Sequence, residues 1–133
     1  FRRVLFRSED KVALLTQCYG LVFPSHLRSE AFGVSLLEGA MYGKPMISCE
    51  IGTGTTFINL ANETGLVIPP NDPGALHRAM SHLWEHPDEA AEMGVRAEKR
   101  YRTHFTAEQM ARSYVELYRD LTRHQPAGRV GQA

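Results

Sequence analysis

Cysteine, paired aspartate, long apolar runs and a bias of charge are all scarce in this chain, and each scarcity excludes a class. Only two cysteines, Cys18 and Cys49, occur in 133 residues. Their spacing matches no zinc or redox motif, so a disulfide scaffold is excluded and each reads as a structural thiol suited to a reducing cytosol. Aspartate stands only at 10, 72, 88 and 120, with no Asp-x-Asp pair to clamp a divalent ion. His82 and His86 have the i, i+4 spacing of a zinc site, but no third ligand accompanies them and metal binding is not expected. No stretch approaches the roughly 18 apolar residues of a membrane span. The formal charge balances at zero, 15 basic against 15 acidic residues, which leaves no basic bias to suggest nucleic acid.

What is present is an alternation of strand and helix signals. Leu21-Val-Phe-Pro24, Pro45-Met-Ile-Ser48 and Leu66-Val-Ile68 are short apolar runs bounded by loop residues. The segments between and after them carry helical periodicity, so an α/β fold is predicted, with about three parallel strands near 21–24, 45–48 and 66–68 and right-handed crossovers. Glu9 to Gly20 reads as a short helix with acids in its first turn and glycine at its stop. Asp72 caps a helix with Pro73 at its first position, and Leu76, Met80, Leu83 and Trp84 form its apolar face. Pro87 opens another, in which Ala90, Met93, Ala97 and Tyr101 recur. Thr106 and Gln109 make a capping box for a last helix, with Met110, Tyr114, Leu117, Tyr118 and Leu121 turned inward. The first strand is expected to be an exposed edge prone to association. Residues 123–133 read as a disordered tail.

The run from Ser25 to Ile47 organises the rest. It passes from a strand end through a polar loop into a helix that begins at Gly33 or Val34. The first N–H groups of that helix lack partners and face the space beyond the strand ends, where α/β folds place ligands and an anion is welcome. Val34, Leu37 and Met41 form its expected core stripe, while Ser35, Glu38 and Tyr42 form a polar one. Glu30 lies at the mouth and Glu38 just over a turn inside, about 10 Å apart. Each has a plainer reading as well: Glu30 as an acid favoured by the helix dipole, Glu38 as a carboxylate paired with a local base. Gly52-Thr-Gly-Thr-Thr56 is either a ligand contact or a turn whose threonines cap a short helix around Phe57 to Leu60. His26 and Arg28 are loop residues of open role.

Glu30 and Glu38 with seven residues between, Phe32-Gly33 inside the gap and Gly43-Lys-Pro45-Met-Ile after it resemble the E-x7-E signature of retaining, nucleotide-sugar-dependent glycosyltransferases of family 4, which have the two-domain GT-B fold. Ser25-His-Leu-Arg-Ser-Glu-Ala-Phe-Gly33, with Ser48-Cys-Glu-Ile-Gly-Thr-Gly-Thr55 following, is similar to bacterial O-antigen mannosyl- and rhamnosyl-transferases. The resemblance implies a partial Rossmann-like domain, the second half of a GT-B C-terminal domain, over residues 9–122. Residues 1–8 look like an in-frame sequencing adapter and are expected to be non-native. Without Arg2, Arg3 and Arg7, 12 basic residues remain against 15 acidic, a net of −3.

The same resemblance implies roles. Glu30 would be catalytic, holding donor-sugar hydroxyls beside an oxocarbenium-like centre. Phe32, Gly33, Val34 and Ser35 would bind the donor, their amides stabilising the leaving diphosphate, and Glu38 would accept ribose hydroxyls. No metal and no cofactor is expected. The implied function is retaining transfer from GDP-mannose or GDP-rhamnose to a lipid-linked glycan acceptor in lipopolysaccharide O-antigen synthesis, with the fragment alone inactive. A sugar-nucleotide epimerase of the same fold and a non-catalytic nucleotide-binding fragment are the alternatives. The implied partners are the nucleoside-diphosphate sugar, the acceptor and an N-terminal domain of the same protein, without nucleic acid. The implied location is cytoplasmic, with room for peripheral association at the inner membrane.

Overall fold

A computed structural model describes residues 8–123, so the expectations for residues 1–7 and for 124–133 lie outside the described residues. In chain order the elements are α1 (Ser8–Gln17), β1 (Leu21–Phe23), α2 (Val34–Met41), β2 (Met46–Cys49), α3 (Thr55–Ile58), β3 (Gly65–Ile68), α4 (Pro73–Glu85), α5 (Pro87–His104) and α6 (Ala107–Arg123). The three strands form one parallel sheet in the order β1-β2-β3. Leu21 faces Met46 across the first pair, and Met46 faces Gly65 across the second. The expected strands, their parallel sense and the partial Rossmann-like α/β class are therefore present.

β2 is buried along its whole length, as a central parallel strand must be when both faces of the sheet are covered. Its alternation splits the core. Met46 joins Leu36, Ala40, Ile58 and Ala97 on one face, whereas Ile47 and Cys49 join Ile68, Ala79, Leu83, Ala90 and Met93 on the other. β1 has no partner on its outer side among the described residues, and Val22 is exposed there.

Capping follows the sequence signals where a side chain supplies the oxygen. Asp72 Oδ1 accepts the Ala75 N–H at 2.8 Å with Pro73 in the first turn of α4, and Thr106 Oγ1 accepts the Gln109 N–H at 3.2 Å at the start of α6.

Four expectations need correction. In α2 the buried residues are Leu36, Gly39 and Ala40, while Val34 and Met41 are exposed. Small residues at 39 and 40 let the helix lie close on β1 and α5, which rotates the core stripe away from the bulkier pair. The short helix after β2 begins earlier, at Thr55, and Gly54 stands at its N-cap with no side-chain cap. In α4 the buried face is Ala75, Ala79 and Leu83, leaving Met80 and Trp84 exposed beside Tyr19 and β1. Finally, α6 buries none of its residues: Met110, Tyr114, Leu117, Tyr118 and Leu121 form an exposed stripe. Periodicity shows that a helix has an apolar face but not that the covering element lies in the same 116 described residues.

Candidate functional site

The chain leaves β1 at Phe23, loops through Pro24–Phe32 and enters α2 through Gly33, which has φ 90° and ψ 61°. This left-handed conformation is open to glycine and strained for a residue with a Cβ, which explains the glycine at the turn. Glu30 is half-buried, and its Oε1 accepts the Gly33 N–H at 2.9 Å. The Leu36 N–H closes back on the Gly33 carbonyl at 2.9 Å. Between them the N–H groups of Val34 and Ser35 have no protein acceptor among the described residues. The helix mouth thus presents two free amides, with the third already engaged by Glu30.

Glu38 lies one turn further along α2. Its Oε1 is 2.6 Å from Lys11 Nζ, an ion pair with the lysine about half exposed and the glutamate one-third exposed. Lys44, in the turn between α2 and β2, donates to the Thr16 carbonyl at 2.9 Å. These two lysines tie α1 to α2 and the turn that follows it, and among the described residues α1 otherwise buries only Leu15. Both carboxylates therefore show the contacts of their plainer readings, a helix-mouth acid and a paired helix acid.

The Gly52–Thr56 loop forms the other lip. Gly54 donates its N–H to the Ala31 carbonyl at 2.9 Å, Gly52 donates to Glu50 Oε1 at 3.0 Å, and the Arg28 guanidinium lies over Gly52. Phe32 is partly exposed and touches the ring of Phe105 edge-on, with centroids 6.4 Å apart. The structure thus brings Glu30, Phe32, Gly33, Val34 and Ser35 together with this loop beyond the end of β1, and Glu38 lies one turn further along α2, held by Lys11. His26 stands apart, lining a small hollow with Pro24, Cys49 and Asn71.

His82 and His86 stack with centroids 4.3 Å apart, and His82 Nε2 meets Glu89 Oε2 at 2.9 Å. No group of three His, Cys, Asp or Glu side chains is arranged to hold a metal ion among the described residues. Burial pushes the Cys49 thiol above its usual range. No helix among the described residues is long and apolar enough to cross a membrane.

Three contributors escaped sequence reasoning. Lys11 reaches Glu38 across 27 positions, beyond any local spacing rule. Asn59 is fully buried and bonded to Ser48, Leu66 and Thr64; an asparagine in an otherwise apolar segment was the available signal. Arg100 reaches the Phe57 carbonyl across 43 positions.

Residues 3–100 match the family described as Glycosyl transferases group 1. The chain is 71% identical over 99 residues to D-rhamnosyltransferase WbpZ of Pseudomonas aeruginosa, covering 74% of this chain and 26% of that protein. It is 51% identical over 117 residues to O-antigen chain mannosyltransferase C of Escherichia coli, covering 88% of this chain and 32% of that protein. The chain therefore spans between a quarter and a third of the length of these curated relatives. Among solved structures, sucrose-phosphate synthase from Thermosynechococcus elongatus superposes with a TM-score of 0.75 at 29% identity, over 87% of this chain and 29% of that one. HepE of Anabaena in complex with UDP superposes with a TM-score of 0.79 at 19% identity, over 86% of this chain and 31% of that one, and shows the fold alone.

Proposed function

The chain belongs to the group 1 glycosyl transferases, and on that premise we propose that it forms the donor-binding wall of an enzyme that transfers a hexosyl group, with retention, from a nucleoside diphosphate to a growing O-antigen glycan. The observation that carries the reading is the mouth of α2: two open amides, at Val34 and Ser35, flanked by Glu30 and Glu38. Breaking a glycosidic bond to a diphosphate develops negative charge on the leaving phosphate, and fixed N–H groups at a helix start stabilise it without reorganising. Glu30 is anchored by the Gly33 amide, so its remaining oxygen is directed toward donor-sugar hydroxyls beside the positive reacting carbon. Glu38 serves the ribose diol. Phe32 walls the sugar side.

The transferred sugar is mannose or rhamnose, in keeping with the names of the two relatives, and it passes from its GDP derivative to a lipid-linked glycan acceptor. The whole protein works at the cytoplasmic side of the inner membrane, associated peripherally where the acceptor is anchored. A further N-terminal domain supplies the acceptor surface and the cations that offset the diphosphate. Residues 9–133 alone are accordingly expected to bind nucleotide weakly and to transfer nothing, since catalysis here needs closure around both substrates.

The test is made on the whole protein with GDP-mannose, GDP-rhamnose and UDP-glucose as donors and a lipid-linked acceptor, with the anomeric configuration of the product read by NMR. Glu38→Gln is expected to weaken nucleotide binding by about 1 to 3 kcal/mol, and Glu30→Gln to reduce turnover more than nucleotide affinity. Wild-type kinetics in both variants, or an inverted product, would sink the assignment.

A further inference from the structure

We infer that Arg100, on α5 and outside the donor site itself, is the positioning residue that sets the geometry of the site's mouth; this rests on the reading above that Glu30, the α2 amides and Glu38 line that mouth. Two lips must hold their spacing for the amides to meet a phosphate: the Ala31–Gly33 turn and the Gly52–Thr56 loop that runs into α3. They touch through the Gly54 N–H to Ala31 carbonyl bond of 2.9 Å. Phe32 also lies directly on Gly54, where a Cβ would come within 2.6 Å of its Cδ2. Neither lip is stiff by itself. The first is a loop, and α3 is a single turn, too short to be stable without outside contacts.

Arg100 supplies those contacts. Its Nε and Nη2 both donate to the Phe57 carbonyl, at 3.2 and 2.6 Å, and this is one of the orphan acceptors at the end of α3. The same guanidinium stands over the Phe57 ring at 5.0 Å and over the Phe105 ring at 5.6 Å. Phe105 meets Phe57 edge-on at 5.6 Å and Phe32 at 6.4 Å. A continuous run of contacts therefore leads from Arg100 through Phe57 and Phe105 to Phe32, the neighbour of Gly33. Its base is firm, because Ala97, one turn earlier on α5, is buried in the same core as Leu36 of α2. Lysine cannot replace arginine in this role: a compact ammonium does not place two donors on one carbonyl while reaching both rings.

The experiment uses the whole protein, with Arg100→Lys and Phe105→Leu measured beside Glu38→Gln for GDP binding by calorimetry, for donor KM, acceptor KM and kcat with GDP-mannose, and for melting temperature. Small displacements of positioning groups reduce rates on the order of ten- to hundredfold. Arg100→Lys is therefore expected to lower kcat over donor KM about tenfold or more, with acceptor KM unchanged and melting lowered by only a few degrees. If that variant does not fold, Phe105→Leu carries the test, because it breaks the ring path and leaves the arginine bonds to the Phe57 carbonyl. Wild-type donor kinetics in the folded variants would overturn the inference. So would losses shared equally by donor and acceptor parameters and proportional to lost melting temperature, the signature of a merely structural contact. If Glu38→Gln binds GDP as wild type does, the donor-site reading itself has failed; if it weakens binding while Arg100→Lys and Phe105→Leu keep wild-type donor kinetics, only the positioning role has.

Discussion

Replacing Asn59 by alanine is the most informative single change to the scaffold, since this side chain joins β2, α3 and β3 from inside the fold. Its Nδ2 donates to Ser48 Oγ at 2.9 Å and to the Leu66 carbonyl at 3.1 Å, and its Oδ1 accepts from Thr64 Oγ1 at 3.1 Å. Ser48 and Asn59 are 0% exposed and Thr64 is 2% exposed, so water cannot replace the lost partners without opening the sheet. Thr64 Oγ1 still accepts the Leu60 N–H at 2.8 Å, which spares part of the loss. The Leu66 carbonyl loses its side-chain donor and the Ser48 hydroxyl its partner. At about 1 to 3 kcal/mol for each buried group left short, Asn59→Ala should destabilise by about 3 kcal/mol. With a urea m-value of about 1.5 kcal/mol/M the midpoint should fall by about 2 M. Urea unfolding of the chain followed by circular dichroism measures this, and Ser48→Ala with the double variant completes a thermodynamic cycle. A shift under about 0.5 M, or strict additivity of the two substitutions, would refute the idea that the three side chains act as one network.

Removing the α4 cap with Asp72→Ala should lower stability by about 1 kcal/mol, read as a drop in melting temperature, and Asp72→Asn should retain most of it. Lys11→Met should change stability by no more than about 1 kcal/mol, since the Glu38 pair is partly exposed; a larger loss in urea would mean that the pair is needed to dock α1. For Cys49 the sign is definite: burial raises the folded thiol above its unfolded value, so the folded state keeps the proton longer. That contribution is fully present below the ordinary thiol range, about 8.5, and is lost as pH rises through the folded value. Wild type should thus lose unfolding free energy relative to Cys49→Ala as the pH rises above the ordinary thiol range, and a pH-independent difference would contradict it.

The parts of the fold legible from sequence are those set by local rules. β1, β2 and β3 are short apolar runs between breakers, and the Asp72 and Thr106 caps depend on residues three apart. The α2 mouth was legible because Gly33 and the carboxylate spacing are local as well. What escaped depends on contacts made far along the chain. Val34 and Met41 have core-like spacing but are exposed, because Gly39 and Ala40 decide how closely α2 approaches β1 and α5. Trp84 and the Met110 to Leu121 stripe looked internal because an amphipathic pattern does not say where its partner lies. Thr55 and Thr56 are good capping residues left unused, since Gly54 must sit under Phe32 at the position where the cap would be.

The two glutamates also differ in what a ligand must undo. On the proposed reading Glu38 would meet an arriving ribose while paired with Lys11, and a partly exposed ion pair of this kind is worth at most about 1 kcal/mol. Exchanging it for two hydroxyl donors would therefore be nearly free. Glu30 instead bonds the amide of the left-handed Gly33, at the positive end of α2. Nothing there has to be broken, because the carboxylate has a second oxygen and the helix end favours its charge whether or not a ligand is present. On the proposed reading Glu38 is an exchangeable binding group and Glu30 a preorganised one. Preorganisation lowers a barrier, whereas exchange sets an affinity. That asymmetry is why Glu38→Gln should act on nucleotide binding and Glu30→Gln on turnover, and a reversed pattern would mean that the roles of the two carboxylates are interchanged.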